Sequence, residues 1–468
     1  MRKKRFVFSV NCLYLILIAA ELAAIIFLCL FIPSVLPYAV TFLGAWIFTA
    51  VTFCVMLARA GATEMKLALA ALIVLLPVAG AVMYLVTFSK NKDCARLYIA
   101  DADAAGLEGV ANSLCGTCMC GYDRAEYLSC GEQFFNLFFE ELEKAEKNIY
   151  LEYFIIGRGK IFNRLITALQ SAKERGADIK IVLDGVGSAF KVGKKHIKQL
   201  KKVGEVKVFS RLSPVPKSRL NFRDHRKIAV FDGKVAFTGG INLADEYANI
   251  ISPLGYWKDT AVAIYGGAAK VFEGMFLSVW HEKYEMKKPE GGKFKCLPFC
   301  DSPPNKSFAE SALEYMIAHA EREIRIMTPY FCVGERISSA LSFAAQRGVD
   351  IKVILPHIPD KRYAYALSKA CAAELTCSGV KFYEYMPGFM HAKSVVCDGR
   401  AYIGSYNLDF RSFRLNYECG AIFEDDIAQK ITEDFENCLA LSRPMQDVKC
   451  GKAGKISRLF LKVFAPLI

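Results

Sequence analysis

Two eight-residue stretches carry the side chains with chemistry to offer: His225-Arg226-Lys227-Ile228-Ala229-Val230-Phe231-Asp232 and His391-Ala392-Lys393-Ser394-Val395-Val396-Cys397-Asp398. Both read H-x-K-x4-D. Each runs on through a glycine and a short apolar segment into a small-residue loop ending in Asn, Thr238-Gly239-Gly240-Ile241-Asn242 and then Ile403-Gly404-Ser405-Tyr406-Asn407. On a strand, residues i and i+2 project to one side, so His225 with Lys227 and His391 with Lys393 form two imidazole–ammonium pairs. A single H-x-K is ordinarily a satisfied core histidine beside a surface lysine. Two copies with the same trailing pattern call for a shared purpose.

A pocket that brought both pairs together would suit a phosphodiester. Two ammonium groups and the amides of Asn242 and Asn407 can hold the non-bridging oxygens and meet the charge of a pentacovalent transition state. One imidazole can attack phosphorus while the other protonates the leaving alcohol. The scheme uses no metal and no other cofactor; a two-metal centre would set clustered carboxylates and His where this motif has Lys. The candidate catalytic set is therefore His225, Lys227, Asp232, His391, Lys393 and Asp398. Each Asp precedes a Gly, a strong hairpin signal, and seven residues of extended chain span ~23 Å. Asp232 and Asp398 are thus expected to fix their turns, or to pair with another basic group, rather than to touch their own His. Each His also needs a partner to hold its tautomer. Asp259, 34 residues after His225, and Glu418, 27 residues after His391, are the candidates, with Glu246 as an alternative for the first motif.

The elements that must position these groups occur twice. Residues 134–145 have helical apolar spacing, 148–156 read as a buried strand, 162–175 return to helical period with Gly176 as a stop, and 178–183 form a second strand. Ala320 to Ile326 mirrors Ala145 to Leu151, and Gln346 to Leu355 mirrors Glu174 to Leu183. These partners lie 175 and 172 positions apart and the two motif histidines 166 apart. The catalytic part reads as an internal duplication of a unit in which strands alternate with helices. The expected organisation is a membrane anchor over 1–90, a Cys-containing linker over 91–130, a first half over 131–285, a connector over 286–305 rich in Lys, Gly and Pro, and a second half over 306–468.

Of the 468 residues 53% are hydrophobic, and the positive mean hydropathy of +0.24 is too apolar for an ordinary soluble enzyme. The excess lies in three stretches, Phe6 to Ile32, Leu36 to Leu57 and Leu67 to Phe88, each long enough for the ~20 residues of helix that a bilayer core needs. They read as an uncleaved multi-pass anchor in the cell membrane. Arg2-Lys3-Lys4-Arg5 argues for an inside N-terminus, while Lys90, Lys92 and Arg96 ask for the same side after the third span; the two signals conflict. The formal charge of +13 fits anionic lipid head groups as a partner. The 17 cysteines read mostly as small buried hydrophobes. Cys115, Cys118, Cys120 and Cys130 have knuckle-like spacing, but no second C-x2-C completes a zinc ribbon, so an irregular linker is expected there. The tail, Ile456 to Ile468, is amphipathic and suits either a membrane surface or packing on the protein.

The paired motifs with their trailing G-G-I-N and G-S-Y-N resemble the HKD motifs of the phospholipase D superfamily. Further blocks are similar to the bacterial cardiolipin synthases within it: Glu152-Tyr153-Phe154-Ile155, Asp184-Gly185-Val186-Gly187-Ser188, Trp257-Lys258-Asp259-Thr260, Thr328-Pro329-Tyr330-Phe331 and Asn407-Leu408-Asp409-Phe410-Arg411-Ser412. The resemblance covers about Cys130 to the C-terminus. It implies an α/β fold, a duplicated phospholipase D-like α-β-α sandwich preceded by N-terminal transmembrane helices. It also implies a phosphatidyl transfer in which two phosphatidylglycerols give cardiolipin and glycerol, with His225 as nucleophile and His391 as acid/base. A hydrolase of the same superfamily shares the covalent half-reaction, and a nuclease acting on nucleic acid fits poorly with membrane spans. The departures are an extra first span, Cys397 before the second Asp, and the Cys-rich linker.

Overall fold

The computed structural model describes residues 23, 35–58, 63–88, 96–99, 106–188, 193–210, 222–281, 283–303, 307–446, 463 and 465–467. The chain divides into two units, residues 1–92 with 210–222 and 452–468, and residues 93–209 with 223–451.

In the first unit the helix Val35–Ala58 contains one stretch, Val40–Ala58, that is long and apolar enough to cross a membrane. Only 11% of its most apolar window is buried within the protein. The first apolar stretch, Phe6 to Ile32, lies outside the described residues apart from Ala23. The third, expected as a single span from Leu67 to Phe88, is two helices instead, Thr63–Leu75 and Pro77–Phe88, of 13 and 12 residues. Pro77 explains the break. It disfavours helical backbone at Leu76 and sits well at the first position of a new helix. Gly80 then allows a close return, since a Cβ there would stand 2.8 Å from the Ile73 backbone. Neither piece reaches the ~20 residues of a spanning helix, so among the described residues one helix qualifies. The short turn Ala465–Leu467 of the amphipathic tail lies against Thr63–Leu75, with Ala465 buried.

The second unit is built on two mixed sheets. The first has the strand order 124–128, 261–265, 235–239, 227–231, 148–153, 178–184, 205–209. The second runs 120–122, 294–301, 416–423, 400–404, 394–397, 323–327, 350–356, 381–385, 442–444, with 223–224 pairing to 416–423 off this path. From 261–265 in the first and 416–423 in the second, six successive strands repeat in the same order. They also repeat the same alternation of three antiparallel and two parallel pairings. The duplication read from sequence spacing is thus a duplication of sheet topology.

Local sequence accounts for the layers. In helix Gly131–Lys144, Phe134, Phe135, Phe138, Phe139 and Leu142 recur at helical spacing and are all buried against the first sheet. Each such side chain contributes up to ~1.5–3 kcal/mol relative to exposure. Helix Lys160–Glu174 ends as Gly176 takes a left-handed φ of 95°. Between the sheets lies a shared core in which Ile228, Val230 and Val262 meet Ile403, Cys419 and Phe423.

The segments expected as linker and connector belong to this framework. Residues 106–115 are helical, strand Cys120–Tyr122 edges the second sheet through Phe294–Cys296, and strand Arg124–Leu128 edges the first through Ala261–Tyr265. The connector supplies the strand Phe294–Asp301. Cys118 and Cys120, with sulfurs 4.0 Å apart, are buried in the core between the sheets. Strands of three and five residues that add to an edge carry too little alternation to be read as strands from sequence.

Asp232 and Asp398 occupy matching turns, with φ of 55° and 48°. The Asp232 carboxylate accepts from the backbone N–H groups of Glu146 (3.1 Å), Lys147 (2.7 Å) and Asn148 (3.0 Å). Asp398 accepts from Glu321 (2.5 Å), Arg322 (3.1 Å) and Glu323 (2.8 Å). Burial pushes both carboxyls up, but the three N–H donors outweigh it and hold each below the usual carboxylate range. These two members of the candidate catalytic set therefore sit at the far ends of their strands, where they tie the hairpin to the start of the neighbouring strand. Asp232→Ala and Asp398→Ala should each lower stability to thermal or denaturant unfolding by ~1–3 kcal/mol. Activity per folded molecule should stay within about twofold of the parent; lost activity at unchanged stability would return the aspartates to the site.

Candidate active site

His225 and His391 enter the site on short strands that pair across the two halves. Arg223–Asp224 runs parallel to Asn416–Tyr417, with Arg223 opposite Asn416 and Asp224 opposite Tyr417. Gly388–Met390 runs parallel to Tyr256–Lys258, with Met390 opposite Lys258. One residue further along each pair stand His225 with Glu418 and His391 with Asp259. The backbone N–H of His225 donates to Tyr417 O (2.9 Å), and that of His391 to Lys258 O (2.7 Å).

The side chains follow this register. His225 Nδ1 lies 2.9 Å from Glu418 Oε2 and 3.0 Å from Oε1. His391 Nδ1 lies 2.5 Å from Asp259 Oδ2. Both carboxylates are fully buried. Asp259 and Glu418 each stand against a histidine, but it is the histidine of the opposite half; the same-half order suggested by spacing does not hold. Pairing across halves leaves no trace in sequence separation, which explains the miss.

The two acids are held differently. Ser405 Oγ donates to Glu418 Oε2 (2.5 Å) and Asn416 Nδ2 donates to Oε1 (3.0 Å). The residue matching Ser405 in the first loop is Gly240, where a Cβ would stand only 2.0 Å from Asp259 Oδ1. The shorter acid thus goes with the residue lacking a side chain, and the longer acid with a hydroxyl that braces it. The small-residue loops flagged this place in sequence without showing what it accommodates.

The lysines lie beside their histidines. Lys227 Nζ donates to His225 O (2.5 Å). Lys393 Nζ donates to His391 O and lies 2.9 Å from His391 Nδ1. The two asparagines are not equivalent. Asn242 Oδ1 accepts from Ile155 N (3.1 Å), and its Nδ2 donates to the Tyr247 hydroxyl (2.7 Å), so most of its amide serves to pin the loop after strand 148–153. Asn407 Oδ1 is buried with no hydrogen-bond partner among the described residues. Aromatic rings missed in the sequence reading wall the site. Phe154 meets the His225 ring at 5.1 Å, and Tyr247, Trp257 and Phe389 meet His391 at 5.4, 5.2 and 5.5 Å. Beneath lies Arg226, fully buried, whose Nε donates to Asp224 Oδ1 (3.2 Å) and whose Nη2 is 2.8 Å from Glu152 Oε1.

A family model described as cardiolipin synthase, phospholipase D-like domain, matches residues 138–280 and again 313–439. The chain belongs to this family. An uncharacterized protein of Streptococcus mutans serotype c is 38% identical over 362 residues, 74% of this chain and 78% of that one. A cardiolipin synthase of Geobacillus sp. is 36% identical over 334 residues, 68% of this chain and 66% of the relative. The cardiolipin synthase 2 of Bacillus cereus is 34% identical over 328 residues, 67% and 64%. The match thus spans just under two thirds of the length of those two synthases. Among solved structures, the phosphatidylserine synthase of Haemophilus influenzae superposes with a TM-score of 0.57 at 15% identity, over 77% of this chain and 97% of that one; this likeness is one of fold.

Electrostatics set the resting state of this cardiolipin synthase-family site. Burial is the main cause that lowers both histidines, His225 to about 4 against the pull of Glu418, and His391 to about 3 with Lys393 adding to the effect. Both imidazoles are therefore neutral at pH 7, with Nδ1–H donated to a carboxylate and Nε2 left as the basic atom. Burial also brings Lys227 down to about 7 and Lys393 to about 8, although Glu418 and Asp259 oppose it. Burial pushes Glu418 up, yet His225, Lys227 and Ser405 together hold it below its ordinary value. With both lysines lowered toward neutrality, a bound anion would raise their proton affinity. At pH 8, titration of inorganic phosphate into the protein in buffers of different ionisation enthalpy should show net proton uptake, because the anion raises the lowered lysines. Lys227→Met should reduce that uptake. Binding without uptake would contradict the lysine assignment.

Proposed function

We propose that the protein is a phosphatidyltransferase that makes cardiolipin. It takes the phosphatidyl group from one phosphatidylglycerol, releases glycerol, and passes the group to the terminal hydroxyl of a second phosphatidylglycerol. The observation that carries this reading is the pair of buried imidazoles, each oriented through Nδ1 by a carboxylate of the other half, with a lysine beside each. Family membership and the synthase relatives support the lipid as substrate, and Val40–Ala58 supports residence at a membrane.

In the first step His225 Nε2 forms a bond to phosphorus, and the bond to the glycerol oxygen breaks as His391 gives that oxygen its proton. Burial keeps His391 neutral by itself, so the phosphate charge and Asp259 must supply its proton affinity in the complex. Lys227, Lys393 and Asn407 face the non-bridging oxygens and stabilise the pentacovalent state. In the second step His391 takes the proton of the acceptor hydroxyl, whose oxygen displaces His225 from phosphorus. Protons balance over the cycle, and none of its steps uses a metal or other cofactor. The aromatic walls limit access of water to the phosphatidyl-histidine, which favours transfer over hydrolysis.

Purified full chain in vesicles of phosphatidylglycerol should yield cardiolipin and free glycerol; phosphatidic acid without cardiolipin would make it a hydrolase. His391→Ala should slow turnover ~10²–10⁴-fold by loss of the general acid, and His225→Ala should abolish it. With phosphate-labelled lipid, label should remain bound to the His391→Ala protein and not to His225→Ala. The reverse pattern would exchange the two roles.

A further inference from the structure

Large apolar side chains exposed on the catalytic unit are few and clustered. Among its described residues there are eight, of which Val110 and Phe343 stand apart and the other six are Ile250, Ile251, Ile358, Tyr363, Met386 and Leu441. These six lie at four loops, 249–256, 357–363, 385–388 and 441–443, with Tyr363 in the first turn of the helix Arg362–Thr376 that closes the second. The loops are neighbours. His357 N donates to Tyr385 O (3.3 Å), Met386 N to Leu441 O (3.2 Å), and Tyr256 N to Pro387 O (3.0 Å). Two of them follow the C-terminal ends of the parallel strands Asp350–Pro356 and Lys381–Tyr385. Two lead directly into the site, since Tyr256–Lys258 runs down to Asp259 and Gly388–Met390 runs down to His391. The loop at 357–363 is anchored at the pocket as well, through Asp360, which accepts from the Tyr330 hydroxyl (2.6 Å) and bears electrostatically on Lys393. The cluster is therefore a rim joined through short strands to Asp259 and His391.

We propose that this rim is a docking face for the surface of an anionic bilayer, with Ile250 and Ile251 at the tip of their loop entering the head-group region. Three features on the rim fit that occupant. Ile251 and Leu441 are more than half exposed (52% and 54%) with no protein surface to cover them among the described residues. Lys361 and Arg362 are exposed beside Tyr363, so basic groups flank the apolar ones as at lipid interfaces, while Arg443 beside Leu441 is exposed but paired with Glu384 (3.1 Å). Asp360, the acidic residue of the loop, accepts from the Tyr330 hydroxyl, keeps its charge and is outnumbered by Lys361 and Arg362. The face adjoins a site read here as acting on lipid phosphate, and the inference rests on that reading. A diacyl lipid whose phosphate must reach a buried His has a shorter way out of the bilayer if the mouth of the site lies on the membrane.

The test compares substrate in a bilayer with the same head group free in solution. Full-chain Ile250→Asp/Ile251→Asp, and separately Leu441→Asp as a milder change, are assayed on phosphatidylglycerol vesicles and on monomeric dihexanoyl phosphatidylglycerol. Phe343→Asp is the control on an unrelated surface. Expected is a loss of about tenfold or more on vesicles for the rim variants, with rates on the monomeric substrate within about twofold of the parent and no change for the control. Equal losses on both substrates, or none on vesicles, would overturn the docking face. If the parent turned over neither substrate, the functional reading would fail by itself. Docking would then be decided by amide hydrogen exchange in phosphatidylglycerol nanodiscs: slower exchange at 357–363 and 385–388 in the parent than in the double variant supports it, and equal exchange overturns it. Protection that followed protein concentration rather than lipid would assign the face to a second copy and also overturn it.

Discussion

A buried neutral imidazole can serve proton or nucleophilic chemistry only if its proton sits on the correct nitrogen, and here neither half of the protein arranges that alone. His225 depends on Glu418 and His391 on Asp259, each carboxylate fully buried and each delivered from the other half. The dependence reaches down to the backbone. The strand before each histidine runs parallel to the strand before the acid it needs, in the same register at both places. A one-residue slip in either pairing would turn the acid away from its histidine. The shared core between the sheets, where Val230 and Val262 meet Ile403 and Phe423, is what keeps that register. Duplication is thus a structural need as well as a chemical one.

The chemistry inherits an asymmetry from this arrangement. The Glu418 side is braced by Ser405 and Asn416, while the Asp259 side is tight against Gly240 and walled by Tyr247, Trp257 and Phe389. A histidine whose partner is firmly held suits attack in one geometry. A histidine among rings, drawn down furthest by burial, suits a proton that is held only when an anionic substrate is present. Burial is the main cause that lowers His391 and both lysines, and a bound anion would oppose it.

Much of this could be read before the structure. The H-x-K-x4-D repeat, the Asp-Gly turns and the mirrored strand–helix–strand segments each carry a local signal, and the sheets repeat accordingly. The position of Asp232 and Asp398 at the turn followed from the Asp-Gly pairs, and their separation from the motif histidines from chain length. What was misread has no local signature. The Leu67 to Phe88 stretch has the hydropathy of a span, but Pro77 divides it. The stretch 106–128 has the composition of a linker, yet its short strands finish both sheets. Most consequentially, Asp259 and Glu418 were found as acids but placed with the wrong histidines, because pairing between halves depends on a register that no spacing within one half reports.

The central claim is the crossed dependence, and nitrogen-resolved NMR of the imidazoles tests it most directly. The chain has six histidines, so His225 and His391 can be assigned from their alanine variants. With ¹⁵N-histidine protein, Glu418→Gln should change the Nδ1 shift and tautomer balance of His225 and leave His391 as it was, and Asp259→Asn should do the opposite. A response of His391 to Glu418→Gln with His225 unmoved would contradict the account.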